Sequence, residues 1–276
     1  MAENRPRLLR NYFEKEIASY DALEDVQPAT EYLSRRIRRW FKRTRHSWRS
    51  LNAKGIGIPA AFLEPYPFPK KEFVPDDFEN LLKSPKLIFE IVQPKYQLRA
   101  HNILREFDRC VTLYPEALDI DTSYDILELS SGGCGGAEVA QHFGNTYQAT
   151  DFLDGRGSVY APIHDALNLS VVGFDGSKTP YAFDDNSYDI VACFQAIDAY
   201  GDEEHYPTFI DEMLRIARKK VVLVFNPGIR AKREKLENGF ETLIRDPLMK
   251  RYTKLNFQKC PSTGMPAVTI DPREQR

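Results

Sequence analysis

Along the first 54 residues, apolar side chains recur at helical spacing. Leu8, Leu9, Tyr12, Phe13 and Ile17 form one set, and Leu33, Ile37, Trp40, Phe41 and Trp48 form a second among arginines. The second predicts a helix with Leu33, Ile37, Trp40, Thr44 and Trp48 near one face, ended by Gly55, Gly57 and Pro59. Residues 59–94 lose this period and become rich in proline and aromatics, which predicts an ordered, irregular arm with one short helix near 76–83. A helix over about 95–110 follows. From residue 124 the rhythm changes to short apolar stretches alternating with helical segments. It predicts strands at 124–129, 146–150, 171–174, 188–194 and 220–225, with helices at 137–143 and 205–218. A helical region over 229–251 then leads to a hairpin, strands 253–258 and 267–270 joined by KCPSTGMP. Alternation of this kind predicts an α/β domain with a mostly parallel sheet covered on both faces. The chain therefore divides into a basic helical extension (1–58), an arm with cap helices (59–119) and the α/β domain (120–276).

Composition narrows the setting. The 276 residues are 42% hydrophobic, enough for one generous domain, yet no run of about 18 uncharged apolar residues predicts a transmembrane segment. Charges in MAENRPRLLRNYFEKE stand where a signal peptide needs an apolar core, and Cys110, Cys134, Cys193 and Cys260 have no zinc-like spacing. A soluble protein in a reducing, cytoplasmic setting without a structural metal is the expectation. Net charge is only -2, but residues 35–54 hold nine Lys or Arg and no acid. That stretch suits an anionic membrane surface, nucleic acid phosphates or an acidic substrate. The plainer alternative packs its aromatic face on the domain and leaves the arginines to solvent.

The candidate chemistry centres on Gly132, Gly133, Gly135 and Gly136, which lie between a predicted strand and a predicted helix. Such a turn aims backbone N–H groups and the positive helix end at a ligand, and glycine permits close approach. No Lys follows Gly136, so the phosphate-cradling pattern is absent. The dinucleotide fingerprint is imperfect too, because its third small position falls on Glu138. Glu128 directly precedes the loop. Asp151 lies 19 residues after Gly132, at the end of the second strand, where a carboxylate can accept two hydrogen bonds from a ribose diol. Asp175, before Gly176, reads equally as a ligand contact and as an Asp-Gly turn. Cys134 reads as a small packing residue, since no His is near it in sequence.

In order and spacing, ILELSSGGCGG, QATDF, FDDNSYDIVACFQAIDAY and FIDEMLRIARKKVVLVFN resemble the class I S-adenosylmethionine-dependent methyltransferases, particularly their broad small-molecule group. The resemblance covers about residues 124–226. It implies a Rossmann-like methyltransferase fold, a mostly parallel seven-stranded sheet flanked by helices behind a helical N-terminal extension, with S-adenosyl-L-methionine as cofactor. By the same resemblance Glu128 meets the methionine portion, and Ser130, Gly132, Gly133 and Gly135 form the cofactor loop. Asp151 and Phe152 meet the nucleoside, Asp175 and Gly176 the adenine, and Phe194 and Gln195 line the methyl-transfer channel. Ser130 stands where the family has its first glycine, and Cys134 falls at or next to the third.

An already activated methyl group needs mainly alignment, plus a base only where the acceptor loses a proton. His205, opening the helix after the fourth strand, is the foremost base candidate, with Asp198, Tyr200 and His164 behind it. Asn226-Pro227 is similar to the start of the Asn-Pro-Pro-aromatic motif of amino-methylating nucleic acid enzymes, but that motif ends the fourth strand and Asn226 ends the fifth, so the resemblance disfavours base methylation of that kind. The expected reaction is methyl transfer to an oxygen or nitrogen of a small-molecule or sugar-like acceptor. An RNA methyltransferase and a non-catalytic scaffold are the alternatives. With the sheet complete, the first 120 residues must close the acceptor pocket, and Tyr96 and Arg99 are candidates for a lid or carboxylate contact.

Overall fold

The computed structural model describes residues 47–63, 99–152, 164, 168–226, 238–260 and 263–275. The expected helices before residue 47, the short helix near 76–83, Tyr96 and residues 229–237 lie outside the described residues. Seven strands form one sheet: β1 (Asp125–Leu129), β2 (Thr146–Asp151), β3 (Val171–Gly173), β4 (Tyr188–Phe194), β5 (Ala217–Val224), β6 (Asn256–Lys259) and β7 (Pro266–Ile270). Their order is β3-β2-β1-β4-β5-β7-β6. The first five run parallel, while β7 lies antiparallel to both β5 and β6. This is a Rossmann-like α/β fold with the seven-stranded, mostly parallel sheet that the resemblance implies. Strand order reverses between β1 and β4, and ligands of open α/β sheets bind beyond the carboxyl ends of the strands at such a point.

Alternation along the strands builds two cores. Leu127, Leu129, Val191, Cys193, Val221 and Leu223 point to one face, where α3 (Tyr206–Ile216) and α4 (Asp246–Arg251) cover them through Ile210, Met213, Ile216 and Leu248. Ile126, Ile190, Ala192, Phe194, Val222 and Val224 point to the other, under α1 (Arg99–Leu113) and α2 (Gly135–His142). Ile103, Leu104, Phe107 and Val139 fill that layer.

Several boundaries differ from the sequence pattern for local reasons. The glycine run does not end before the helix. Gly135 and Gly136 make its first turn, buried against β1 and β2. Strand β5 begins at Ala217, directly after α3, because buried Ala217 already pairs with Tyr188. In the helical stretch 47–53 the buried positions are Ser47 and Leu51, and Trp48 is 42% exposed. Packing of the aromatic face on the domain, one of the alternatives for this helix, does not extend to Trp48. Leu51 joins Phe62, Ile103 and Phe107, while Ser50 and Lys54 bond the buried carboxylate of Asp108 at 3.0 and 3.1 Å. Among the described residues no helix is long and apolar enough to cross a membrane.

Candidate functional site

The chain leaves β1 under tight local control. Thr150 of β2 accepts the Ser130 N–H through Oγ1 at 2.9 Å, and its carbonyl accepts the Ser131 N–H at 2.7 Å. The Ser131 hydroxyl donates to the Glu128 carbonyl at 2.9 Å. These bonds carry the loop through three left-handed residues, Ser130, Gly132 and Cys134, with φ of 57°, 54° and 50°. The left-handed region costs a residue with a side chain about 1–2 kcal/mol. Ser130 and Cys134 thus hold left-handed backbone that glycine adopts more readily.

Each substitution has a contact of its own. The Ser130 hydroxyl lies 2.8 Å from the Tyr200 hydroxyl, and Tyr200 packs its ring on Gly176, where no Cβ would fit. Tyr200 thereby ties the loop after β1 to the loop after β3. Cys134 is buried with Ala137 and Ala149, and its thiol lies 3.5 Å from the Gly132 carbonyl. Burial and the nearby charge of Glu128 raise its pKa well above the ordinary value, as suits a packing residue.

Glu128 is 5% exposed and points under the first turn of α2. It accepts the Tyr147 hydroxyl, and a Cβ on Gly136 would stand 2.7 Å from its Oε2. Burial and the charge of Glu106 push its pKa up to about 8, against the Tyr147 hydrogen bond and the pull of Arg109 and Arg105. Asp151 and Phe152 end β2 half-buried, with the Asp151 carboxylate accepting the Phe152 N–H at 2.8 Å. Asp175 instead closes its own turn. It accepts the N–H and hydroxyl of Ser177 at 3.1 and 2.6 Å and pairs with Lys178 at 2.9 Å. Burial opposes its charge, yet these bonds hold its pKa below the ordinary value.

At the end of β4, Phe194 is buried, and Gln195 adopts φ 61°. The Gln195 side chain accepts from Arg109 at 2.5 Å and donates to Asn226 at 3.0 Å, while Asn226 also bonds Asp198 at 2.9 Å. Burial raises the Asp198 pKa in spite of the Asn226 bond. The structure places His205 exposed on a short turn before α3, beside Gly201. His164 is buried, its Nε2 2.8 Å from the Gly132 carbonyl. Arg99 opens α1.

Sequence reasoning missed the buried pair Glu106 and Arg109. Their carboxylate and guanidinium meet at 2.6 Å, and the Arg109 guanidinium lies 4.7 Å from the Phe194 ring centre. The signal was present as an acid and a base three apart in REFDRC, on an otherwise apolar helix face. Among the described residues no group of His, Cys, Asp and Glu is arranged to hold a metal ion.

Several solved structures are similar to this chain. A methyltransferase from Pyrococcus furiosus is 17% identical, with TM-score 0.43 over 63% of this chain and 84% of that one. The magnesium protoporphyrin IX methyltransferase of Synechocystis PCC 6803 with bound SAM is 12% identical, with TM-score 0.43 over 66% and 83% of the two chains. A protein from Pyrococcus horikoshii OT3 is 15% identical, with TM-score 0.44 over 60% and 89%. No protein-family model matches the sequence, and no curated protein matches it.

Proposed function

We propose that this protein is an S-adenosylmethionine-dependent methyltransferase acting on an oxygen or nitrogen of a small-molecule or sugar-like acceptor. The observation that carries the reading is the set of groups at the carboxyl edge of the sheet beside the β1–β4 switch point. A tightly pinned left-handed loop, the buried Glu128 and the carboxylate of Asp151 occupy the ends of two adjacent strands. Such a set suits a ligand that combines an amino-acid end with a ribose diol. The residues fit the cofactor in a further respect: buried Glu106 Oε2 has no hydrogen-bond partner among the described residues, which leaves an acceptor for a cationic donor.

The cofactor supplies an activated methyl group. In this reading Glu128 binds its amino-acid end, Asp151 its ribose, and Gln195 fixes the shape of the channel wall, because Arg109 and Asn226 hold its side chain. Asp198 is the better placed of the base candidates. Its half-buried carboxylate has a raised pKa and belongs to the Gln195–Asn226 network, whereas His205 faces solvent.

A second reading, a non-catalytic binding protein, draws support from Tyr200, which ties the β1 and β3 loops together, and from Asp175, which is engaged in its own turn. Calorimetric titration with S-adenosylmethionine, S-adenosylhomocysteine and NAD tests both, followed by transfer of labelled methyl to hydroxyl and amine acceptor pools. Binding of the two sulfur nucleosides with methyl transfer supports the enzyme. Binding without transfer favours the second reading, and preference for NAD defeats both.

A further inference from the structure

Glu106 comes from α1, outside residues 124–226, and Glu128 comes from β1, yet both enter the layer between α1 and the sheet. They are 3% and 5% exposed. Glu106 Oε1 takes the Arg105 Nε at 2.9 Å and the Arg109 Nη1 at 2.6 Å, so one oxygen collects both guanidiniums. Its Oε2 is buried and has no hydrogen-bond partner among the described residues. Glu128 has the Tyr147 hydroxyl and no ion-pair partner among the described residues. A buried polar atom without a partner costs about 1–3 kcal/mol, and more when it belongs to a charge. With both guanidiniums gathered on Glu106 Oε1, neither Glu106 Oε2 nor the Glu128 carboxyl receives an N–H donor among the described residues, although Arg109 Nε is equally buried and also without a partner there.

We propose that Glu106 and Glu128 act as a pair to receive the ammonium group of a bound ligand, with Glu106 supplying its free oxygen from α1. The inference rests on the cofactor reading above, in which that group is the methionine ammonium. The charged and titratable groups around Glu128 are Glu106, Arg105 and Arg109 of α1, Tyr114 just after α1, Tyr147 of β2, Cys134 at the start of α2 and Cys193 of β4. Burial opposes the charge of Glu106, but the two arginines hold its pKa below the ordinary value, so Glu106 stays ionised. Glu128, pushed up to about 8, keeps its proton near neutral pH. When the ammonium enters, Glu128 ionises, its proton passes to the buffer, and the positive charge of the ligand takes its place.

The test is calorimetric titration near neutral pH in two buffers of different ionisation enthalpy. Its ligands are S-adenosylhomocysteine and 5′-methylthioadenosine, which keeps the nucleoside and sulfur but has no amino-acid group. For the wild-type protein, S-adenosylhomocysteine is expected to release a proton to the buffer and methylthioadenosine none. Glu106→Gln is expected to weaken S-adenosylhomocysteine about tenfold or more, the scale of one hydrogen bond to a charged group, and to leave methylthioadenosine unchanged. Equal weakening of both ligands, no weakening, or binding without proton release would overturn the pair. If Glu106→Gln fails to fold, Glu106→Asp, which keeps the charge but shortens its reach, takes its place with the same selective loss expected for S-adenosylhomocysteine. Failure of the wild type to bind either ligand would overturn the cofactor reading itself, whereas binding of both without the selective effects overturns only this inference.

Discussion

The two faces of the sheet are built on different terms. Under α3 and α4 the layer is apolar, with tyrosine hydroxyls at its margins. Under α1 and α2 lie Glu106, Arg109 and Glu128, all buried. A buried ion pair is weak support for stability, because desolvation can cancel the attraction. The apolar face therefore does most to hold the fold, and the charged face keeps groups that stability alone does not require. They lie beside the switch point of the sheet, where a ligand would use them.

Breaking each face in turn should separate the two roles. The largest effect is expected from Arg109→Met, which leaves buried Glu106 with Arg105 alone and removes the brace on Gln195. It should cost about 3–5 kcal/mol in urea denaturation, and adding Glu106→Gln should recover part of the loss. On the other face Leu127→Ala should cost about 2–5 kcal/mol through the cavity it leaves. Its folded fraction should bind S-adenosylhomocysteine as the wild type does, in contrast to Arg109→Met.

The pH dependence sharpens the contrast. A carboxyl whose pKa is raised on folding binds more protons in the native state, so its contribution is full below the unfolded value and is lost as pH rises. For Glu128 that window runs from 4.5 to about 8. The ligand-free protein should lose stability across it by a few kcal/mol, and Glu128→Gln should flatten the slope measured by chemical denaturation at a series of pH values.

Smaller changes probe the loop. Gly136→Ala puts a methyl against the Glu128 carboxylate and the Tyr147 hydroxyl, the latter at 3.0 Å. It should cost about 1–3 kcal/mol and lower the thermal midpoint. Ser130→Gly relieves the left-handed strain but loses the Tyr200 hydroxyl contact. These terms are each about 1 kcal/mol and opposite in sign, so its midpoint should move little while the two loops uncouple in hydrogen exchange.

The contrast between faces also explains what the sequence could disclose. Strands β1, β4 and β5 were legible because their apolar runs are buried on both faces of the sheet. Glu128 and Asp151 were legible because a loop fixes their spacing from its glycines. The left-handed path at Ser130 and Cys134 was not, since the residue types argue against it and only tertiary bonds to Thr150 and Tyr200 enforce it. Glu106 and Arg109 were hidden because charges three apart on a helix read as a solvated pair until their burial is known. At Trp48 the helical spacing left open which face is buried: Trp48 is exposed, and Leu51 takes the buried place.

The most direct measurement is a crystal structure of the complex with S-adenosylhomocysteine. The account predicts the ribose on Asp151, and the amino-acid end beside the β1–β4 switch point with its ammonium between Glu106 and Glu128. A ligand seated elsewhere on the sheet, or with its ammonium away from both carboxylates, would contradict it.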